Sequence, residues 1–127
     1  MTSSLKLTAT VFPMLAAGVA VVFTDYIGLG TLDRVHSYVN RVDEGHAVLD
    51  AARAAQQLAV IGVPRVDVPD DGPVGIYGYS QGGGASAAAV ELQPSYASEL
   101  KLKGAAVGAR HRPTWLPLPR DPPTAAF

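Results

Sequence analysis

The sequence predicts an α/β fold in which a parallel sheet of about three strands is flanked by helices. Short apolar runs rich in β-branched residues alternate along the chain with longer stretches of helical spacing. Strands separated by helices usually pair in parallel through right-handed crossovers, so this order indicates a series of βαβ units. The chain has 127 residues, a usual size for one domain with a single hydrophobic core.

The predicted elements follow one another without an internal repeat. The strand-like runs cover residues 19–23, 73–78 and 102–107. The helical stretches cover residues 7–17, 43–59 and 82–92. We expect Gly18 to stop the first helix, Asp43 to cap the second and Pro94 to limit the third, because proline restricts the residue before it. Loops over 24–40 and 63–72 connect the elements, and the first follows a strand end, where α/β proteins place their chemistry.

The second helix is predicted to be amphipathic. Val48, Ala52 and Ala55 recur at helical spacing and form its apolar face. Glu44 and Asp50 are assigned to the opposite, polar face, and Glu44 also falls in the first turn, where the helix dipole favours a negative charge.

Composition excludes several classes of function. A hydrophobic fraction of 48% with 17% charged residues suits a globular interior. Ten basic against eleven acidic residues give a net charge of -1, so nucleic acid is a poor partner. The absence of cysteine removes disulfides, thiolate nucleophiles and cysteine-based zinc sites.

One apolar run, residues 11–23, could suggest a membrane or targeting segment. Thirteen residues are too few to span a bilayer, so no transmembrane segment is expected. Thr24-Asp25-Tyr26 stands where a signal peptide would need a cleavage site with small residues. The compartment therefore stays open.

The last eighteen residues differ from the rest. Residues 110–127 hold half of the chain's ten prolines together with three arginines, a composition that cannot continue a sheet. We expect a folded domain over 1–109 and a disordered tail over 110–127.

The sharpest chemical signal is the pentapeptide Gly78-Tyr79-Ser80-Gln81-Gly82, a G-x-S-x-G pattern between a predicted strand and a predicted helix. A nucleophilic serine in such a turn has a strained backbone, and glycine on both sides avoids collisions between strand and helix. The N–H of Gln81 would then face the developing oxyanion. Two alternatives remain: a serine that only caps the helix, and a phosphate-binding loop, although the lysine and glycine spacing of such loops is missing.

Several separate motifs resemble the secretory lipase family. They are found, in order, at residues 24–26, 28–30, 36–41, 45–54 and 78–84, and the likeness extends from about residue 16 to residue 109. The resemblance implies an α/β-hydrolase fold, a secreted triacylglycerol lipase or carboxylesterase acting on lipid or ester substrates, and no cofactor. It also implies that Ser80 is the nucleophile and that Asp25 and the Gln81 N–H form the oxyanion hole. Asp25 could instead be a turn residue, and Ile27 replaces an acidic residue common in relatives.

A complete catalytic triad is not expected. α/β-Hydrolases supply the acid and then the histidine after the serine, whereas His36 and His46 precede Ser80 and are interpreted as structural. The candidates after Ser80 are His111, Glu91, Glu99 and Asp121, and none has the order or placement of a triad.

We therefore expect a truncated form with little hydrolysis. The alternatives are an inactive fragment and an acyl-ligand or protein-binding module on the same scaffold. The exposed edge of an incomplete sheet further predicts self-association.

Overall fold

The computed structural model describes residues 3–30, 35, 36, 38, 40–62 and 67–108. Their elements are, in chain order, α1 (Ser3–Ala16), α2 (Arg41–Val60), β1 (Pro73–Tyr79), α3 (Gln81–Tyr96) and β2 (Lys101–Gly108). The two strands pair in parallel, which confirms the predicted α/β class. None of the helices in these ranges is long and apolar enough to cross a membrane. The tail predicted over 110–127 lies outside the described residues.

The core lies around α3, which packs against α2 and against both strands. Its centre is a cluster of buried residues, namely Leu49, Ile76, Ala89, Ala97 and Leu100. Small side chains let α3 approach its neighbours closely. At Gly45 of α2, an added Cβ would lie 2.8 Å from Leu92 Cδ1 and 3.1 Å from the backbone of Ala88.

The sheet has one covered face in the described part of the chain. Along β1, Ile76 and Gly78 are buried, whereas the alternating residues Tyr77 and Tyr79 are 56% and 69% exposed. Successive side chains of a strand point to opposite faces, so the tyrosines lie on the face away from α3.

The strand predicted over 19–23 is wrong. These residues have no strand pairing in the structure, and Val19, Val22 and Phe23 are 51%, 48% and 62% exposed. A short apolar run becomes a strand only when a neighbour accepts its backbone hydrogen bonds, and β1 pairs with β2 alone among the described residues.

Gly18 does stop the first helix. It has φ 79°, a left-handed backbone that glycine adopts without strain. Its N–H donates to Leu15 O at 3.0 Å, and the N–H of Val19 donates to Met14 O at 2.9 Å. These two bonds form the closing pair typical of a glycine-terminated helix.

Two other helix ends differ from the prediction. Asn40, not Asp43, caps α2, because its Oδ1 accepts hydrogen bonds from the N–H groups of Val42 and Asp43 at 3.1 and 3.3 Å. Asn40 occupies a cap position three residues earlier, which leaves Asp43 inside the first turn. Helix α3 continues past Pro94 to Tyr96. A proline this close to the end removes one backbone hydrogen bond, and the N–H of Ala97 still closes the helix on Gln93 O at 2.9 Å.

Candidate active site

Ser80 occupies the turn between β1 and α3. Its backbone has φ 57° and ψ -119°, and it is the only non-glycine residue with positive φ in the described ranges. Such a conformation costs on the order of 1–3 kcal/mol and persists where the surroundings enforce it. The N–H of Ser80 donates to Gly108 O at 3.0 Å, and its carbonyl accepts from the N–H of Gly84 at 3.1 Å. The turn is therefore held between β2 and α3.

The two motif glycines differ in what they do. A Cβ on Gly78 would overlap the carbonyl of Gly82 and the Oγ of Ser86, so the close packing of strand against helix requires glycine there. Among the described residues, a Cβ on Gly82 would meet the hydroxyl of Tyr26, at 3.8 Å, which is an ordinary contact. The collision expected at both glycines is thus present at Gly78, and the described residues show none at Gly82.

The hydroxyl of Ser80 does not cap the helix. Ser80 stands at the N-cap position of α3 but makes no side-chain capping hydrogen bond. This excludes the interpretation in which the serine serves only as a cap. Gln81 is the first residue of α3, and its N–H has no backbone partner within the described part of the chain. That N–H lies at the positive end of the helix dipole.

The turn that holds Ser80, residues 78–82, is called the elbow below. The side chain of Gln81 joins the elbow to α2. Its Nε2 donates to Glu44 Oε1 at 2.7 Å and lies 3.2 Å from His36 Nε2. His36 Nδ1 lies 3.1 Å from the carbonyl of Ile27. The elbow is thus connected to the loop before α2 and to α2 itself.

Glu44 lies beside the candidate site, a position that the sequence interpretation missed. It was assigned to the polar face of α2, but it is 2% exposed. Helical spacing carried the missing signal: Glu44 precedes Val48 by four residues, which places both on one face of the helix. His36, interpreted as structural, lies beside the elbow through its contact with Gln81.

Tyr26 forms a wall of this region. Its ring stacks on His36 with 6.4 Å between the ring centroids and 17° between the planes. Burial, and then the neighbouring charge of Glu44, raise the pKa of the Tyr26 hydroxyl above its ordinary value of 10.0. The hydroxyl therefore stays protonated at neutral pH and can donate a hydrogen bond.

Asp25 is less closely tied to the elbow. Its side chain is exposed, its carbonyl accepts from the Thr24 hydroxyl at 3.0 Å, and its Oδ2 lies near Gly30. Within the described residues, no hydrogen bond joins the Asp25 carboxylate to Ser80 or Gln81.

The other candidate acid and base residues lie elsewhere. His46 stacks on the ring of Tyr96 with a centroid distance of 3.6 Å, in keeping with its structural interpretation. Glu91 pairs with Arg41, and Glu99 pairs with Arg53. His111 and Asp121 lie outside the described residues. The described residues contain no group of three or more histidine, aspartate or glutamate side chains that could hold a metal ion.

Proteins similar to this chain include several lipases. The chain is 40% identical over 98 residues to Lipase 5 of Candida albicans. That match covers 76% of this chain and 19% of the relative. It is 48% identical over 64 residues to Lipase A of Arthroderma benhamiae, and this match covers 50% of this chain and 13% of the relative. A probable inactive lipase of Mycobacterium tuberculosis is 40% identical over 67 residues, 53% of this chain and 14% of the relative.

A solved structure gives the same picture. Candida antarctica lipase A in its closed state matches with a TM-score of 0.50 and 34% identity, over 58% of this chain and 16% of that chain. This chain spans at most about a fifth of the length of the curated relatives described above. The model of the secretory lipase family matches residues 2–112. The chain therefore belongs to the secretory lipase family.

Proposed function

We propose that this chain carries the nucleophile and part of the oxyanion hole of a serine hydrolase that cleaves carboxylic esters. The observation that carries the proposal is the strained backbone of Ser80, φ 57° and ψ -119°, between a strand and a helix whose N-terminus faces the turn. Support for lipid esters comes from relatives such as the secreted triacylglycerol lipase of Malassezia globosa, which is 45% identical over 65 residues.

The proposed reaction is acyl transfer followed by hydrolysis. Ser80 Oγ attacks the ester carbonyl carbon, its proton passes to a base, and the carbonyl oxygen becomes an oxyanion. The N–H of Gln81 donates to that oxyanion. Asp25 would add a second donor through its backbone N–H or as a protonated acid. The alcohol leaves, and water then releases the fatty acid from Ser80.

We propose that the 127-residue chain turns over slowly. No histidine is hydrogen-bonded to Ser80 in the described part of the chain, so the hydroxyl there lacks the base that normally removes its proton. Without that base, the oxyanion hole and substrate binding provide only the smaller part of a serine hydrolase's rate enhancement.

Fluorophosphonate labelling with hydrolysis of a short-chain nitrophenyl ester tests this function. The wild-type chain should be labelled at Ser80 and should release nitrophenol slowly, and Ser80→Ala should abolish both. Ser95→Ala is the matched control, since Ser95 is an exposed serine of α3 whose hydroxyl donates to Leu92 O. A folded wild-type chain that is neither labelled nor active would contradict the proposal.

A second candidate is an acyl-ligand or protein-binding module without catalysis. It is favoured by the lack of a histidine hydrogen-bonded to Ser80 among the described residues and by the relative named a probable inactive lipase. Saturable binding of a fatty acid to a chain whose Ser80 is not labelled would support this candidate over the hydrolase.

We also propose self-association through the exposed face of β1, where Tyr77 and Tyr79 leave apolar surface uncovered. Sedimentation velocity of the wild type and of Tyr77→Ser would test it. A concentration-independent monomer in both would contradict it.

A further inference from the structure

We infer that Glu44 and His36 are positioning residues for the oxyanion donor and act through the side-chain amide of Gln81. The inference rests on the proposed function, because it assigns a purpose to contacts around the same Ser80 turn. Neither residue touches the reacting atoms in this account; both act by holding Gln81.

The hydrogen bonds around the side-chain amide of Gln81 permit only one placement of its nitrogen and oxygen atoms. Nε2 lies 2.7 Å from the carboxylate of Glu44, and the amide oxygen could not take that place, because two acceptors would repel each other. The NH₂ group therefore donates one hydrogen to Glu44. Its second hydrogen points to His36 Nε2 at 3.2 Å, so that nitrogen must accept.

This assignment also fixes the state of the imidazole. If Nε2 accepts, the proton of neutral His36 resides on Nδ1, which can donate to the carbonyl of Ile27 at 3.1 Å. Both ring nitrogens then have suitable partners. Protonation of Nε2 would set an N–H against the NH₂ group of Gln81 and break that contact.

Glu44 provides the stronger anchor. Its carboxylate is buried in the interior near α3, with Gln81 as a hydrogen-bond partner, and removal of a partner from a buried charge is costly. Because the carboxylate belongs to α2 and the amide belongs to the first residue of α3, their bond fixes that residue relative to α2. The Gln81 N–H shares this anchored residue, so the direction of the oxyanion donor depends on it.

Two aromatic rings lie against His36. Tyr26 is stacked on it with 6.4 Å between the ring centroids, and Tyr38 lies edge-on at 6.2 Å. Together with the Ile27 carbonyl at Nδ1, these contacts orient Nε2 towards Gln81.

The test compares the rate of Ser80 phosphonylation with hydrogen exchange of the Gln81 side-chain NH₂ group, both in the full chain. Glu44→Leu should slow phosphonylation by about tenfold or more, since misdirected oxyanion donors lose much of their effect. Glu44→Gln should recover most of the rate, because its amide oxygen can still accept from Gln81. Glu91→Gln is the control, an exposed carboxylate on α3 that pairs with Arg41.

A second variant covers the case in which Glu44→Leu does not fold. His36→Phe keeps a ring beside Tyr26 but removes the nitrogen acceptor, so phosphonylation of Ser80 should slow, by less than in Glu44→Leu. Hydrogen exchange of the Gln81 side-chain NH₂ group should be faster in both Glu44→Leu and His36→Phe than in Glu91→Gln.

The outcomes separate this inference from the proposed function. A wild-type chain that is not labelled at Ser80 would contradict the proposed hydrolase function. Hydrogen exchange of the Gln81 side-chain NH₂ group would still show whether Glu44 and His36 hold it. Wild-type exchange at Gln81 in a folded Glu44→Leu, or in His36→Phe if only that variant folds, would overturn the positioning role.

Discussion

Gly78→Ala should be the most damaging small substitution at the turn. The added methyl group would overlap the carbonyl of Gly82, and the hydroxyl of Ser86 as well. The hydroxyl could rotate away, but the carbonyl belongs to the backbone of α3 and could move only with the helix. Overpacking of this kind costs about 1–3 kcal/mol, and a backbone obstacle favours the upper end. We expect a loss of about 3 kcal/mol, a large share of the 5–15 kcal/mol typical of a small domain.

Urea unfolding followed by far-UV circular dichroism measures this loss. With a urea dependence of about 2 kcal/mol per molar, the midpoint should fall by roughly 1.5 M. Gly75→Ala is the matched control, because Gly75 lies on the same strand and an added Cβ there meets no described atom within 4 Å. Its stability should change by no more than about 0.5 kcal/mol. Equal midpoints for the two variants would refute the packing of β1 against α3 at this turn.

Two further predictions concern stability. Gly84→Ala should stabilise the chain by about 0.5–1 kcal/mol, because an added Cβ there meets none of the described residues within 4 Å and alanine favours the helix. A lowered melting temperature would contradict this. Lys101, whose Nζ lies 2.6 Å from Asp71 Oδ2, lowers the pKa of Asp71 below 3.8. That pair therefore adds stability at higher pH that is lost as the pH falls below about 3.8, and Lys101→Met should remove this part of the pH dependence. Urea midpoints measured across acid pH check it, and identical pH curves for the two chains would count against the pairing.

Sequence patterns were most reliable where the structure depends on neighbouring residues. The run of small residues after Ser80 predicted α3, and the run before it predicted β1, because both patterns arise within a few residues. The strand predicted over 19–23 failed for the opposite reason. Its apolar pattern was suitable, but a strand also needs a partner, and no local pattern specifies whether one is available.

In the candidate site, too, features set by neighbouring residues were predicted and contacts between distant residues were not. The motif around Ser80 predicted a strained turn between strand and helix, and Gly78 has the steric role expected of it. The convergence of His36 and Glu44 on Gln81 was missed, since these contacts join residues 45 and 37 positions apart in the sequence. Helical spacing could have placed Glu44 on the buried face, but only the packing of α2 against α3 selects its partner.

The strain at Ser80 connects the fold to the proposed chemistry. A backbone at φ 57° and ψ -119° costs on the order of 1–3 kcal/mol, whereas one hydrogen bond contributes about 1 kcal/mol. A single contact therefore cannot hold this turn. Three elements contribute: β2 through Gly108, α3 through Gly84, and α2 through the bond of Glu44 to Gln81. Because their contributions together are comparable to the strain, we expect the turn to form when β2, α2 and α3 have packed, and the proposed reactivity of Ser80 to depend on all three.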